Sequence, residues 1–244
     1  MKNLKKIPKI IVQAKVADHL IDYKWTPKIM EKLIDPVGEN EGLEHILNQI
    51  SHKASMGLAA ATLEWIFWRF KELSTKSEDI RQRIETMWSS IENPENTNDL
   101  VFDIELDFPA NNYIDGPIWV SLMNVRMIDI LYKKGSNFLQ TETLGLILLA
   151  RHITPKKKTF DKWFDDNINK LINFYPNQNL NSVNDLEDSL YDYSKDPVIC
   201  REFFFDSSFE YNEEQSKKAL SDFISNINYQ KNQYCIKRKE YASA

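Results

Sequence analysis

Glycine and cysteine are scarce in this sequence of 244 residues, which contains six Gly and two Cys. Scarce Gly argues against an all-β fold with many tight turns and against a Gly-rich phosphate loop. The nucleotide-binding patterns GxxxxGK[ST] and GxGxxG are both absent. Cys200 and Cys235 lie far apart without CxxC or Cys/His ligand spacing, so we expect two free thiols in a reducing compartment.

Long apolar runs and a positive net charge are also missing. No segment approaches the roughly 18 apolar residues that a membrane span needs. Lys9 and Lys15 interrupt the short apolar stretch near the N-terminus, so we expect no export signal, no membrane partner and a cytoplasmic protein. The net charge of -5 disfavours nucleic acid as a partner. The best candidate for a local basic patch, Pro155–Lys158, is expected to be a solvated helix start.

Signatures of catalysis and metal binding are missing as well. There is no HExxH and no Glu-x-x-His unit, and the nearest arrangement, Glu41, His45 and His52, supplies too few ligands for a metal. A GxSxG nucleophile elbow is also absent. We therefore predict no metal, no cofactor and no enzymatic activity, although catalytic residues can assemble from distant positions.

The dominant pattern is that of amphipathic helices. The clearest runs from Ser77 to Ile91, with apolar residues at spacings of three and four. Thr26 and Pro27 are typical of a helix start, and Gly135 of a helix end. Further helices are predicted over 26–34, 41–73 (one helix or two), 118–134, 141–152, 155–174, 182–193, 197–205 and 213–229. The sequence thus predicts an all-α fold, a compact multi-helix bundle of antiparallel helix pairs in a single domain over 1–244.

Residues 92–115 break this rhythm and are the one possible, weak domain boundary. The string NPENTND has the composition of a loop. In LVFDIELDF, residues 100–108, apolar and acidic residues alternate, which predicts an extended segment with one buried face. It is either a short strand or an extended segment laid across helices, and no partner strand is evident.

Small residues lead into a cluster of aromatics in GLAAATLEWIFWRF, residues 57–70. A helix with this sequence is apolar on nearly all sides, so we predict that it is the central core helix. Each of its two charges, Glu64 and Arg69, is expected to reach a partner on another element, because an unpaired buried charge is costly. The alternative is a ligand pocket near Glu64, Trp65, Trp68 and Arg69.

Three acidic strings with interspersed aromatic residues stand out, over 92–115, 185–196 and 206–214. Each is either a solvated face or part of an acidic surface that meets a basic protein. In the second case the aromatic side chains would supply buried anchors. The residues predicted to contact such a partner are Glu95, Asp99, Asp103, Glu105, Asp107, Asp188, Tyr191, Asp192 and Tyr193.

In type, the chain resembles the immunity proteins of bacterial toxin systems, the antidotes to contact-dependent and type VI secreted effectors. The resemblance rests on the acidic helical chain, the acidic loops, the missing catalytic signature and an Asn/Lys/Ile-rich composition typical of AT-rich bacterial genes. The stretch AATLEWI, Ala60–Ile66, is similar to a core helix of helical immunity families. The resemblance implies a protein that binds one cognate toxin and blocks it by occlusion. The alternatives are an all-α enzyme or ligand-binding protein with the pocket described above, and a helical adaptor.

Overall fold

The structure, a computed structural model, describes residues 4–17, 19–102, 112–178 and 190–237. Within these ranges the protein is all-helical, as predicted, with ten α-helices and no β-strand. The helices are α1 (Lys9–Gln13), α2 (Pro27–Ile34), α3 (Glu41–Leu47), α4 (His52–Phe70), α5 (Ser77–Glu92), α6 (Asp115–Lys133), α7 (Gln140–Ile153), α8 (Lys157–Phe174), α9 (Arg201–Phe205) and α10 (Glu213–Ile224). Short 3₁₀ turns lie at Val37–Glu39, Pro94–Asn96 and Tyr193–Lys195.

Local sequence signals place several helix ends. Thr26 caps α2, because its hydroxyl accepts a hydrogen bond from the amide of Ile29 at 3.3 Å, and Pro27 is the first helical residue. After α6, Gly135 has a φ of 65°, in the left-handed region that favours Gly. Both helix ends were predicted from these residues.

Other boundaries differ from the predicted ones. The predicted stretch 41–73 forms two helices, α3 and α4, separated by residues 48–51. The helices predicted over 197–205 and 213–229 are shorter in the structure, as α9 and α10. At the end of α10, Asn226 turns its side chain back to donate a hydrogen bond to the carbonyl of Asp222 at 2.6 Å, which competes with helix continuation. Most of the predicted helix 182–193 lies outside the described residues.

Helix α4 is the central helix, as predicted, and every one of its residues is buried. At its start, the amide of Ser51 donates to the carbonyl of Tyr175, just after α8, at 2.9 Å. At its other end, Arg69 donates to the carbonyl of Ile153, the last residue of α7, at 3.1 Å. Helix α8 therefore runs antiparallel to α4 and α7 runs parallel to it. The start of α4 and the ends of α6 and α8 lie at the same end of the molecule. His52, the first residue of α4, contacts the carbonyl of Ser136, just after α6.

The small and the aromatic residues of α4 have separate packing roles. A Cβ on Gly57 would lie 2.8 Å from Cγ2 of Ile199, so the absence of a side chain lets the segment before α9 approach the helix closely. Further along, the Trp65 ring packs against Phe160 and Trp163 with ring centroids 5.0 and 5.2 Å apart. Small residues thus set the distance between backbones, and aromatics fill the wider space.

The segment after α5 crosses the helices in an extended form as far as it is described. Leu100 and Phe102 are buried, whereas Val101 between them is 68% exposed, so the predicted alternation is confirmed for these residues. The Phe102 ring packs edge-on against Trp119 of α6, with ring centroids 5.4 Å apart. The rest of the predicted extended segment, 103–108, lies outside the described residues, and the weak domain boundary over 92–115 stays a prediction.

Candidate functional site

Glu64 forms a buried ion pair in the interior. Its carboxylate is fully buried and accepts two hydrogen bonds from the equally buried guanidinium of Arg201, one of them from Nε to Oε2 at 2.7 Å. The indole of Trp68 donates a third, at 3.0 Å. Burial alone would lower the pKa of Arg201, but the charge of Glu64 outweighs this effect and raises that pKa. The predicted partner of Glu64 on another element is therefore Arg201 on α9.

Arg69 ties the N-terminal segment to the end of α7. Besides Ile153, its guanidinium donates to the carbonyls of Val16 at 3.2 Å, Leu20 at 2.9 Å and His19. Burial holds the pKa of Arg69 below its usual value. Both charged side chains of the stretch 57–70 thus form hydrogen bonds within the protein. The alternative pocket relied on these two groups to bind a ligand, and both are already engaged.

The structure places five of the nine residues predicted to contact a partner. Asp103, Glu105, Asp107 and Asp188 lie outside the described residues. The other five belong to two acidic strings that are far apart in sequence: Glu95, Asp99, Tyr191, Asp192 and Tyr193.

The last turn of α6 brings these two strings together. From the first string, Asp99 approaches Lys133, whose Nζ lies 3.2 Å from its Oδ1. From the second string, the ring of Tyr193 stacks on that of Tyr132, the residue before Lys133, with ring centroids 4.8 Å apart. Asp99 and Tyr193, which are 94 positions apart in the sequence, therefore contact two adjacent residues of α6.

The charges around Tyr193 support the same placement. Burial raises the pKa of Tyr193, and the carboxylates of Asp192 and Glu95 raise it further. Glu95 therefore lies within electrostatic range of the Tyr193 hydroxyl. We call this group of residues the Tyr193 surface: Glu95, Asp99, Asp192 and Tyr193.

The Tyr193 surface combines exposed charge with exposed apolar groups. Glu95, Asp99 and Asp192 are exposed, and Tyr193 is half-buried. Leu190 is 77% exposed, and its Cβ lies 3.7 Å from the position that a Cβ would take on Gly135, just past the end of α6. Aromatic rings are enriched in protein-binding surfaces, whose rims are polar, and the carboxylates around Tyr193 would lie at such a rim.

Tyr191, also predicted to contact a partner, is buried beside this surface, and that contact stays a prediction. The residue is buried, its ring stacks on His52 with centroids 3.8 Å apart, and its hydroxyl donates to Asp196 at 2.9 Å. Burial lowers the pKa of His52 to about 4, so its imidazole is neutral near pH 7. The acidic string alone does not indicate that the Tyr191 ring is buried while the Tyr193 ring is half-buried.

A cavity of about 410 Å³ lies between α2 and the adjoining ends of α7 and α8. Two cationic side chains of its lining are paired with carboxylates. Lys32 pairs with Glu39, also in the lining, at 2.6 Å, and Arg151 pairs with Asp161, which lies outside the lining, at 2.6 Å. The exposed Lys157 at its edge is the first residue of α8, as expected for a solvated helix start. This arrangement indicates no particular ligand.

The described ranges also contain no group of three or more His, Cys, Asp or Glu side chains that could hold a metal ion. Among the helices that the structure describes, none combines the length and the apolar character needed to cross a membrane. Comparison with protein-family models, with curated proteins and with solved structures finds no match to this chain.

Proposed function

We propose that this protein is an immunity protein that binds a cognate bacterial toxin through the Tyr193 surface and blocks it by occlusion. The observation that carries the proposal is the meeting of two acidic strings at the end of α6, with Asp99 on Lys133 and Tyr193 on Tyr132. Exposed carboxylates would steer a basic partner towards the surface, and Tyr193 with Leu190 would supply buried contact area.

The charges of the Tyr193 surface are available for exchange with a partner. Asp192 is paired with Lys195 only at 3.6 Å, and both side chains are more than half exposed. Such exposed pairs contribute about 0–1 kcal/mol, so a lysine or arginine of a partner can replace Lys195 at little cost. The two segments 103–111 and 179–189 add six acidic and no basic residues to the sequence, which further favours a basic partner.

Co-expression with the product of a neighbouring toxin gene tests the proposal. The protein should restore growth of cells that make the toxin, and it should form a stable complex with a catalytically inactive toxin on gel filtration. Complex formation separates occlusion from enzymatic removal of the toxin's product, which would restore growth without a stable complex. Absence of rescue, with both proteins present by immunoblot, contradicts the proposal.

A further inference from the structure

Asp129 is a fully buried carboxylate on α6, four residues before the end of that helix. Its Oδ2 accepts hydrogen bonds from the amide of Leu100 and from Nζ of Lys133, each at 3.0 Å. Its Oδ1 has no hydrogen-bond partner among the described residues. Burial raises the pKa of this carboxyl, and an apolar side chain would fill the same space without desolvating a charge. The packing of α6 by itself therefore does not account for an acid at this position.

The carboxylate of Asp129 holds the loop that carries Asp99. The same Lys133 ammonium that binds Asp129 also donates to the carbonyl of Asn98 at 2.9 Å and to Asp99 at 3.2 Å. Three successive residues, 98–100, are thus fixed by Asp129, either directly or through Lys133. The Asp99 side chain nevertheless remains 84% exposed.

The C-terminal segment holds the same loop from a second element. The amide of Asn98 donates to the carbonyl of Tyr234 at 2.7 Å, and the amide of Ile236 donates to the carbonyl of Asn96 at 2.8 Å. The loop backbone is therefore fixed on both sides of Asn98, which leaves the side chain of Asp99 as its exposed, charged part.

We infer that Asp129 is a positioning residue of the Tyr193 surface, which sets the loop 98–100 and the Lys133 ammonium so that Asp99 is ready for a basic partner. This inference rests on the proposed function. A loop fixed before binding avoids part of the ordering cost of association. In addition, Asp129 shares the charge of Lys133, which would otherwise neutralise Asp99 alone and weaken its attraction for a cation.

Asp129→Asn tests the inference, because Asn keeps the size of the side chain and an oxygen acceptor for Leu100 but removes the charge. We expect the dissociation constant for the catalytically inactive product of the neighbouring toxin gene to rise roughly three- to tenfold. Amide hydrogen exchange of Leu100 should become faster. Glu142→Gln is the matched control, since it removes a partly buried carboxyl of α7 and should change neither measurement.

A double-mutant cycle separates positioning from a general loss of stability. If Asp129 acts through Asp99, Asp129→Asn should weaken binding little further once Asp99→Asn is present. If the two substitutions weaken binding additively, the inference is overturned. It is also overturned if Asp129→Asn binds the toxin as tightly as wild type while Asp99→Asn binds less tightly. Both results leave the proposed function standing. If the wild-type protein does not bind the toxin at all, the proposed function fails and the inferred role of Asp129 fails with it.

Discussion

Replacing Arg201 by Met should leave an unneutralised negative charge in the centre of the fold. Glu64 and Arg201 are both fully buried, and after the substitution the carboxylate keeps only the hydrogen bond from Trp68 of the three described above. Removing one member of a buried ion pair costs about 3–5 kcal/mol. Because native proteins are stable by about 5–15 kcal/mol, Arg201→Met should lose a large share of its free energy of unfolding but still fold.

Urea unfolding followed by circular dichroism measures this loss. The double variant Glu64→Leu/Arg201→Met removes both charges and should lie within about 2 kcal/mol of wild type. Arg201→Lys keeps the charge but not the two-pronged hydrogen bonding, and should be intermediate. If Arg201→Met unfolds within about 1 kcal/mol of wild type, Glu64 does not depend on Arg201 and the reasoning is refuted. Wild-type stability together with lost toxin protection would instead assign the pair to a site.

Three further substitutions test the packing. His52→Gln should make stability less sensitive to acid. The pKa of His52 is about 4 in the fold against about 6.5 in the unfolded chain, so the neutral imidazole contributes up to about 3 kcal/mol above pH 6.5, and this contribution is lost as the pH falls towards 4. Equal acid sensitivity of both proteins in urea unfolding would contradict this. Gly145→Ala should cost about 1–3 kcal/mol, since its Cβ would lie 2.6 Å from the Leu33 carbonyl oxygen. The control Gly42→Ala, with nothing within 4 Å, should gain up to about 1 kcal/mol, and equal melting temperatures of the two variants would speak against the close approach. Arg69→Lys should cost about 2–4 kcal/mol in urea unfolding, because one ammonium cannot serve four carbonyls, and wild-type stability would show that these hydrogen bonds are dispensable.

The sequence predicts most of the helices and the central place of α4. The pattern of residues 57–70 is apolar on nearly all sides, and only a buried helix satisfies it. It also predicts that Glu64 needs a partner, but it cannot identify Arg201. That pairing depends on how the short helix α9 packs against α4, and no local pattern encodes the distance between them.

The composition of the Tyr193 surface could be predicted from sequence, but its assembly could not. Asp99 and Tyr193 are placed on the same part of the fold because they contact adjacent residues in the last turn of α6, and no local pattern in the sequence encodes these contacts. The role inferred for Asp129 is not evident in the sequence for a different reason. A single acidic residue in an apolar helix would ordinarily be expected to face solvent. In the structure Asp129 is instead buried and accepts hydrogen bonds from Leu100 of the covering loop and from Lys133.

The rate of association with inactive toxin tests the central claim most directly. Two triple variants with the same change in net charge can be compared by stopped flow at low and physiological salt: Glu95→Lys/Asp99→Lys/Asp192→Lys on the Tyr193 surface, and Glu31→Lys/Glu72→Lys/Asp165→Lys at exposed positions elsewhere. The first should associate at least about tenfold more slowly than wild type and with a weaker salt dependence, and the second should differ by less than about threefold. Equal rates for the two variants would contradict binding through the Tyr193 surface.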